Sequence, residues 1–281
     1  MIARPVTCDL HSHSLHSDGT ERPAQLVEHA LDRGLVALSL TDHDTMDGLA
    51  EARERASGTT LRVIPGIELS TAHHAIEVHV LAYFVDVNNE ELAAALEHFK
   101  VVRRQRARAI LDRLKRLGMP LTEEEVLERA RGGTVGRPHV AEALVARGYV
   151  MSFDEAFRRY LGNRGPAWVP KPGPTPAEAI QLVHRAGGVT SIAHPATMGQ
   201  DGLISEFAKQ GLAGLECIHP KHDPASEQRY RDLAGRLGLI VTGGSDCHGR
   251  RPGGSMIGYG DVPATVVEAL EGAARSVREG R

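Results

Sequence analysis

Apolar runs of the kind that form buried strands recur along the chain and alternate with stretches of helical periodicity. Val6 to Cys8 opens the series. From Pro23 onward Leu26, Val27, Ala30 and Leu31 repeat on one helical face until Gly34, and Leu35 to Leu40 is again strand-like. Leu61 to Ile64, Gly188 to Ala193, Gly214 to Ile218 and Leu237 to Val241 continue the strand series. Between them Ile76, Val78 and Val80 alternate with Glu77 and His79, so His79 faces away from the branched residues. This rhythm predicts a βα-repeat domain built on a parallel sheet.

The rhythm breaks between about Glu90 and Pro170. A long helical stretch carries Leu92, Leu96, Phe99, Ile110, Leu114 and Leu117, and capping boxes at Thr122–Glu125 and Ser152–Glu155 open two shorter helices. Pro138 falls in the first turn of another helix, and a third capping box, Thr175–Glu178, marks the return of the βα pattern. The division expected is a small helical domain, residues 99–167, inserted into an α/β domain made of residues 1–98 and 168–281.

Polar residues of metal-binding type follow the strand-like runs. His11 and His13, two apart on an extended segment, point the same way, with Asp9 behind them. Asp18, His43, Glu68, His79, His194, Asp246 and His248 follow or lie within later runs, and His219 follows another. Barrels and open parallel sheets place their chemistry in the loops after the strands, so these positions converge. Nine nitrogen and oxygen donors exceed what one catalytic zinc takes and suit two or three divalent ions sharing carboxylates. The absence of thiolates favours manganese, iron, zinc or magnesium. His16, beside Asp18, is an alternative donor.

Composition narrows the function. A net charge of -3 argues against a protein that coats DNA or RNA, and aromatics at 4% argue against a long base-stacking platform. No apolar run approaches the ~20 residues of a membrane span, and Met1 to Pro5 does not open a secretion signal. Three widely spaced cysteines without CxxC read as reduced, cytoplasmic thiols. No serine nucleophile elbow or Walker loop is present to support a covalent or NTP-driven mechanism.

The segments DLHSHS (9–14), TDHD (41–44), GIELS (66–70), the His79 strand, IAHP (192–195) and GSDCH (244–248) occur in the order of the motifs of the PHP (polymerase and histidinol phosphatase) domain, which this chain resembles over nearly its whole length. HSDGT (16–20) resembles the stand-alone phosphoesterase branch, in which Asp18 occupies a ligand position and a helical insertion occurs. The resemblance implies a distorted seven-stranded β/α barrel, TIM-like, with the inserted helical domain and a trinuclear site. His11, His13, Glu68 and Asp246 would then hold one ion, Asp18, His43 and His248 a second, and Glu68, His79 and His194 a third, manganese being the first choice. Asp9 and Asp42 would orient ligating imidazoles.

The insertion is expected to recognise substrate. Arg137 and His139 stand at a helix N-terminus, which favours an anion. Arg164 and Lys171 lie near the junction with the barrel, and His222 resembles a substrate-side position of the branch. Arg103, Arg104, Arg106 and Arg108 are expected on a solvated face. The implied reaction is hydrolysis of a phosphomonoester by a hydroxide bridging two ions, with Asp246 or His194 assisting proton transfer. The expected substrate is a small nucleotide, a nucleoside 3′,5′-bisphosphate losing its 3′-phosphate. The alternatives are 5′-to-3′ trimming of short RNA, histidinol-phosphate hydrolysis and a non-catalytic metal-bearing module.

Overall fold

The computed structural model describes residues 7–74, 76–249 and 256–280. Its strands are β1 (Thr7–Asp9), β2 (Ala37–Leu40), β3 (Arg62–His73), β4 (Ile76–Tyr83), β5 (Val189–Ile192), β6 (Gly214–Ile218), β7 (Ile240–Gly243) and β8 (Val262–Pro263). They form one sheet in the order β7-β6-β5-β4-β3-β2-β1-β8. The sheet curls until the ends of β1 and β7 meet: Ser12 bridges Cys247, the Leu10 N–H donates to the Gly243 carbonyl at 3.3 Å, and the His13 N–H donates to the Cys247 carbonyl at 2.8 Å. The result is the expected distorted barrel, nearly closed. The two-residue β8 is added antiparallel to β1 beyond the seven longer strands.

The sheet is mixed rather than wholly parallel. β4 runs antiparallel to both β3 and β5. The connection from His73 to Ile76 is the physical reason, because a link this short joins only antiparallel neighbours while a parallel pair needs a crossover of a dozen residues or more.

Ile67, Leu69, Val78, Val80, Ile192 and Leu215 from the strands share a core with Ala179, Ile180 and Val183 of the helix Pro176–Arg185. The predicted cap of that helix is present, Thr175 accepting from the Glu178 N–H while the Glu178 carboxylate accepts from Thr175. The helix Glu90–Arg116 joins two cores: Leu92 and Leu96 pack on the barrel, while Ile110, Leu111 and Leu114 pack with Val126, Val140, Leu144 and Leu161 of the shorter helices. Burying a side chain such as Leu114 or Leu144 stabilises by roughly 1.5–3 kcal/mol relative to exposure, so this second cluster is held by its own apolar contacts. At Ser152 the cap is one-sided: its hydroxyl accepts from the Glu155 N–H, but the Glu155 carboxylate turns to the Met151 N–H instead. Among the described residues no helix is long and apolar enough to cross a membrane.

Candidate metal centre

The strand-end residues meet at one mouth of the barrel. His11 and His13 leave β1 on the same side, as their spacing requires, and both are fully buried. Their approach to the β7 end depends on Gly244, where a Cβ would lie 2.5 Å from the His11 backbone nitrogen. His194 (φ 29°) and Asp246 (φ 49°) hold left-handed backbone conformations that cost of order 1–3 kcal/mol each in a non-glycine residue, and such strain collects at functional sites.

Four donor atoms converge most closely. His11 Nε2 and His13 Nε2 are 3.1 Å apart. Glu68 Oε2 lies 3.2 Å from the first and 3.0 Å from the second, and Asp246 Oδ1 lies 3.4 and 3.3 Å from them. Points spaced in this way surround a centre ~2 Å from each, the distance at which nitrogen and oxygen ligands hold a divalent ion. A second group joins His13, Asp18, His43 and His248, with His248 Nε2 3.3 Å from Asp18 Oδ1. A third joins His43, Glu68 and His79. Glu68 links the groups, since its Oε2 faces His11, His13 and His43 while its Oε1 lies 2.7 Å from His79 Nδ1 and 3.1 Å from His194 Nε2.

The electrostatics are those of a cation site. Burial works to raise the acids, yet His43, His79 and His11 hold Glu68 well below the usual carboxylate range, and His248 and His43 do the same for Asp18. Asp246 is also held well below it, against burial, chiefly by His11 and His248. Burial would lower the His13 ring, but hydrogen bonds to Asp246 and Glu68 push it up to about 10; carboxylates raise His11 in the same way. Protons on these rings stand where a cation would otherwise balance the acids. His43 Nδ1 is buried and makes no hydrogen bond. An orphaned imidazole nitrogen, paired imidazoles facing each other and a bridging carboxylate fit a hard to borderline divalent ion, with no thiolate among the donors.

Sequence reasoning missed Glu216. It is fully buried within β6, accepts the His11 Nδ1–H at 2.9 Å through Oε1, and accepts the strained His194 N–H at 2.7 Å through Oε2. It therefore fixes the tautomer that turns His11 Nε2 toward the donor set. Its signal was present, a lone acid in the apolar run Gly214 to Ile218. The orienting role expected of Asp9 and Asp42 is not met at any imidazole. Asp9 accepts from the His11, Ser245 and Gly258 N–H groups, and Asp42 from Ser14 and Ser17, so both brace loop backbone and hydroxyls. His16 stands outside the donor groups, and Cys247 is buried with its thiol pushed up to about 11 by burial.

A cavity of about 320 Å³ opens from this mouth. Asp18, His43, Glu68, His79, His194, Asp246 and His248 line one part of it, and Arg103, Arg106, Arg137 and Lys171, held by Asp44 and Glu77, line another. The solvated face expected for the arginines of the long helix holds for Arg104 and Arg108, which are exposed beside Glu123. It fails for the other two. Arg103 is buried, with Nε 2.5 Å from Asp44 Oδ2, and Arg106 pairs with Glu77. The helix turns those two positions inward, and buried acids meet them. Arg137 binds the other oxygen of Glu77 at 2.6 Å, and Lys171 lies 3.5 Å from Asp44. The remaining expected substrate residues are not at the cavity wall. His139 is buried and its Nδ1 accepts the Gly136 N–H, capping its helix. Arg164 is exposed, with φ 66°. His222 is buried behind His219, its Nδ1–H donated to the Cys217 carbonyl at 2.8 Å.

A model of the PHP domain matches residues 9–133. The 5′-3′ exoribonuclease Rnm of Escherichia coli is 33% identical over 250 residues, 86% of this chain and 85% of that protein. The 3′,5′-nucleoside bisphosphate phosphatase of Chromobacterium violaceum is 31% identical over 89% of this chain and 90% of its own. A phosphoribosyl 1,2-cyclic phosphate 1,2-diphosphodiesterase of Eggerthella lenta is 33% identical over 86% of this chain and 94% of its own. Among solved structures, a protein of Bifidobacterium adolescentis provisionally assigned as a metal-dependent phosphoesterase superposes with a TM-score of 0.88 at 32% identity, covering 96% of this chain and 98% of that one. With relatives a third identical across most of both chains, the same barrel, and a buried histidine–carboxylate donor set at its mouth, this chain belongs to the metal-dependent phosphoesterases of the PHP domain family.

Proposed function

We propose that the protein hydrolyses a phosphomonoester of a small nucleotide, and that a nucleoside 3′,5′-bisphosphate losing its 3′-phosphate is the substrate. One observation carries this reading: a single cavity has a cation-binding donor set on one side and a cationic wall on the other. Two or three divalent ions, manganese first, would be held by His11, His13, Glu68 and Asp246, by Asp18, His43 and His248, and by Glu68, His79 and His194. Bound there, they would lower the pKa of water toward neutrality and offset the charge of the phosphate oxygens.

The chain's own residues do the rest. Glu68 ties the groups together, and Glu216 orients His11. Asp246 directs Oδ1 into the donor set and shares Oδ2 with His219 and Lys221, and both ring nitrogens of His194 are engaged, with Glu68 and Thr197. Proton transfer at the leaving oxygen would be assisted by Asp246 or His194. Arg137, Arg106 and Lys171 would receive the second phosphate, with Arg103 fixing Asp44 behind them. Residues 99–167 would act as the substrate-recognising insertion. Buried free cysteines agree with a reducing, cytoplasmic setting.

The test is phosphate release from adenosine 3′,5′-bisphosphate with added Mn²⁺, with and without chelator. Metal-dependent release of the 3′-phosphate alone, leaving AMP, is expected. Release of neither phosphate, with ions bound, overturns the reading. The relatives named as exoribonucleases support a second reading, 5′-to-3′ trimming of short RNA, so a short 5′-phosphorylated RNA belongs in the same assay, with histidinol phosphate as the non-nucleotide control.

A further inference from the structure

Arg103, Arg106, Arg137 and Lys171, the four cations of the far wall, sit in buried or nearly buried pairs with Asp44 or Glu77. Lys221 also lines the cavity but is built differently. It comes from the loop after β6, on the donor-set side. Its backbone is fixed, because the Lys221 N–H donates to His219 Nδ1 at 3.1 Å and the His222 N–H donates to the His219 carbonyl at 2.9 Å. Its side chain is 61% exposed, and its ammonium rests 3.1 Å from Asp246 Oδ2.

That carboxylate faces two ways. Oδ1 belongs to the four-atom donor group, and Oδ2 is shared between Lys221 and His219 Nε2 at 3.3 Å. If Lys221 moves away, Asp246 keeps its buried histidine partner. The lysine end of this pair is exposed and its stem is flexible, and Asp246 retains His219, so Lys221 can exchange this contact for another anion without stranding the acid. Exchanging Arg103 would break a pair with Asp44 in which both side chains are buried, which is costly, and the Arg106 stem is itself nearly buried against Glu77. Among the described residues lining the cavity, Lys221 is therefore the cation free to follow an arriving anion, and it stands beside the donor set rather than across from it.

We propose that Lys221 leaves Asp246 when substrate arrives and binds the non-bridging oxygens of the phosphate being hydrolysed, as a catalytic residue of this site. This rests on the phosphoesterase reading above and assigns to Lys221 the phosphate at the donor set, leaving the far wall to the other one. Inorganic phosphate is the probe. Its binding to Mn²⁺-loaded protein is titrated calorimetrically with and without chelator, alongside metal content by elemental analysis, for wild type, Lys221→Met and Lys221→Arg.

The expected result is metal-dependent phosphate binding in the wild type, weakened roughly tenfold or more in Lys221→Met, as fits loss of a charge-assisted contact. Lys221→Arg should retain most of it, and metal content should be equal in all three. Wild-type affinity in Lys221→Met overturns the proposal while leaving the phosphoesterase reading intact. Loss of metal from Lys221→Met also overturns it, making Lys221 a support for Asp246. Absence of metal-dependent phosphate binding in the wild type, together with no hydrolysis of any phosphoester offered, sinks both.

Discussion

The two walls of the cavity use the same ingredients, charged side chains in a buried setting, and solve opposite problems. On the far wall every cation already has a carboxylate partner, two to each acid, and the excess is positive: Asp44 receives Arg103 and Lys171, and Glu77 receives Arg106 and Arg137. On the near wall like groups face each other. The Nε2 atoms of His11 and His13 are 3.1 Å apart, His43 Nδ1 has no hydrogen bond, and protons are drawn onto the imidazoles to offset Glu68 and Asp246. A wall complete in itself positions a ligand, whereas one left unbalanced is organised around something it must bind. Substitutions on the near wall should therefore cost metal, and those on the far wall should cost substrate affinity with metal retained.

The largest effect is expected at the four-atom group. His11→Ala or Asp246→Ala should lose bound metal and phosphoester hydrolysis together, with circular dichroism unchanged because the barrel's apolar core is untouched. Full metal occupancy with normal turnover in either variant would break the comparison. Next comes Glu216→Ala, which removes the acceptor of the His11 ring and of the His194 backbone without deleting a donor. Metal affinity should fall about 10- to 100-fold, read by competition with a chromogenic chelator. Unchanged affinity would mean that the barrel alone holds His11 in place.

On the far wall Arg137→Ala should keep its metal and raise KM for a nucleoside bisphosphate by about 10- to 100-fold, the equivalent of ~1.5–3 kcal/mol for a lost charge-assisted contact, with little change for a monophosphate. An equal effect on both substrates would make Arg137 a scaffold for Glu77 alone. The structure sharpens this prediction, because Glu77 stands two residues before His79 on β4. Alternation along a strand puts the two on one face, so the acid that fixes both guanidiniums is set about 7 Å from a donor-set histidine. Glu77→Gln should loosen both arginines at once and raise KM for the bisphosphate without loss of metal.

The same contrast explains what could be read from the sequence. The near wall was legible because one local rule, an apolar run followed by an imidazole or acid, recurs along the chain, and barrel topology brings such ends together whatever lies between them. His11, His13, Asp18, His43, Glu68, His79, His194, Asp246 and His248 all reach the mouth. Glu216 lies inside its strand as Glu68 and His79 do, but without the Pro65-Gly66 break or the polar alternation that set those two apart, and the mixed sheet was hidden because the β3–β4 hairpin reads as two ordinary strands. The far wall follows no local rule. Whether an arginine of a long helix is buried depends on which acid meets it, and Asp44 and Glu77 are far away in sequence. Hence the sequence alone places Arg103 and Arg106 in solvent, and His139 and His222 hold a helix cap and a loop carbonyl instead of lining the cavity.

The smallest effect is a matter of sign. In chelated protein the His13 ring is raised to about 10 from 6.5, while Lys171 is lowered from 10.5 to about 7, by burial and by Arg103. Between pH 6.5 and 10 the folded state holds the His13 proton more tightly than the unfolded chain does, so its contribution to stability, complete below 6.5, is lost as pH rises. Between pH 7 and 10.5 the unfolded chain holds the Lys171 proton more tightly, so stability is gained as pH rises and is lost as pH falls through 7. The two slopes oppose each other over most of the same window, each limited to about 1.4 kcal/mol per pH unit. Lys171→Met removes one of them. Urea midpoints measured from pH 7 to 10 in chelator should then fall more steeply with pH than those of the wild type. Restoring the metal removes the His13 slope, since the ion displaces the imidazole protons, so the variant curve should flatten and the wild-type curve should turn upward with pH. Parallel curves for variant and wild type in chelator would show that Lys171 keeps its charge at neutral pH, so that the far wall carries four fixed cations on its two carboxylates.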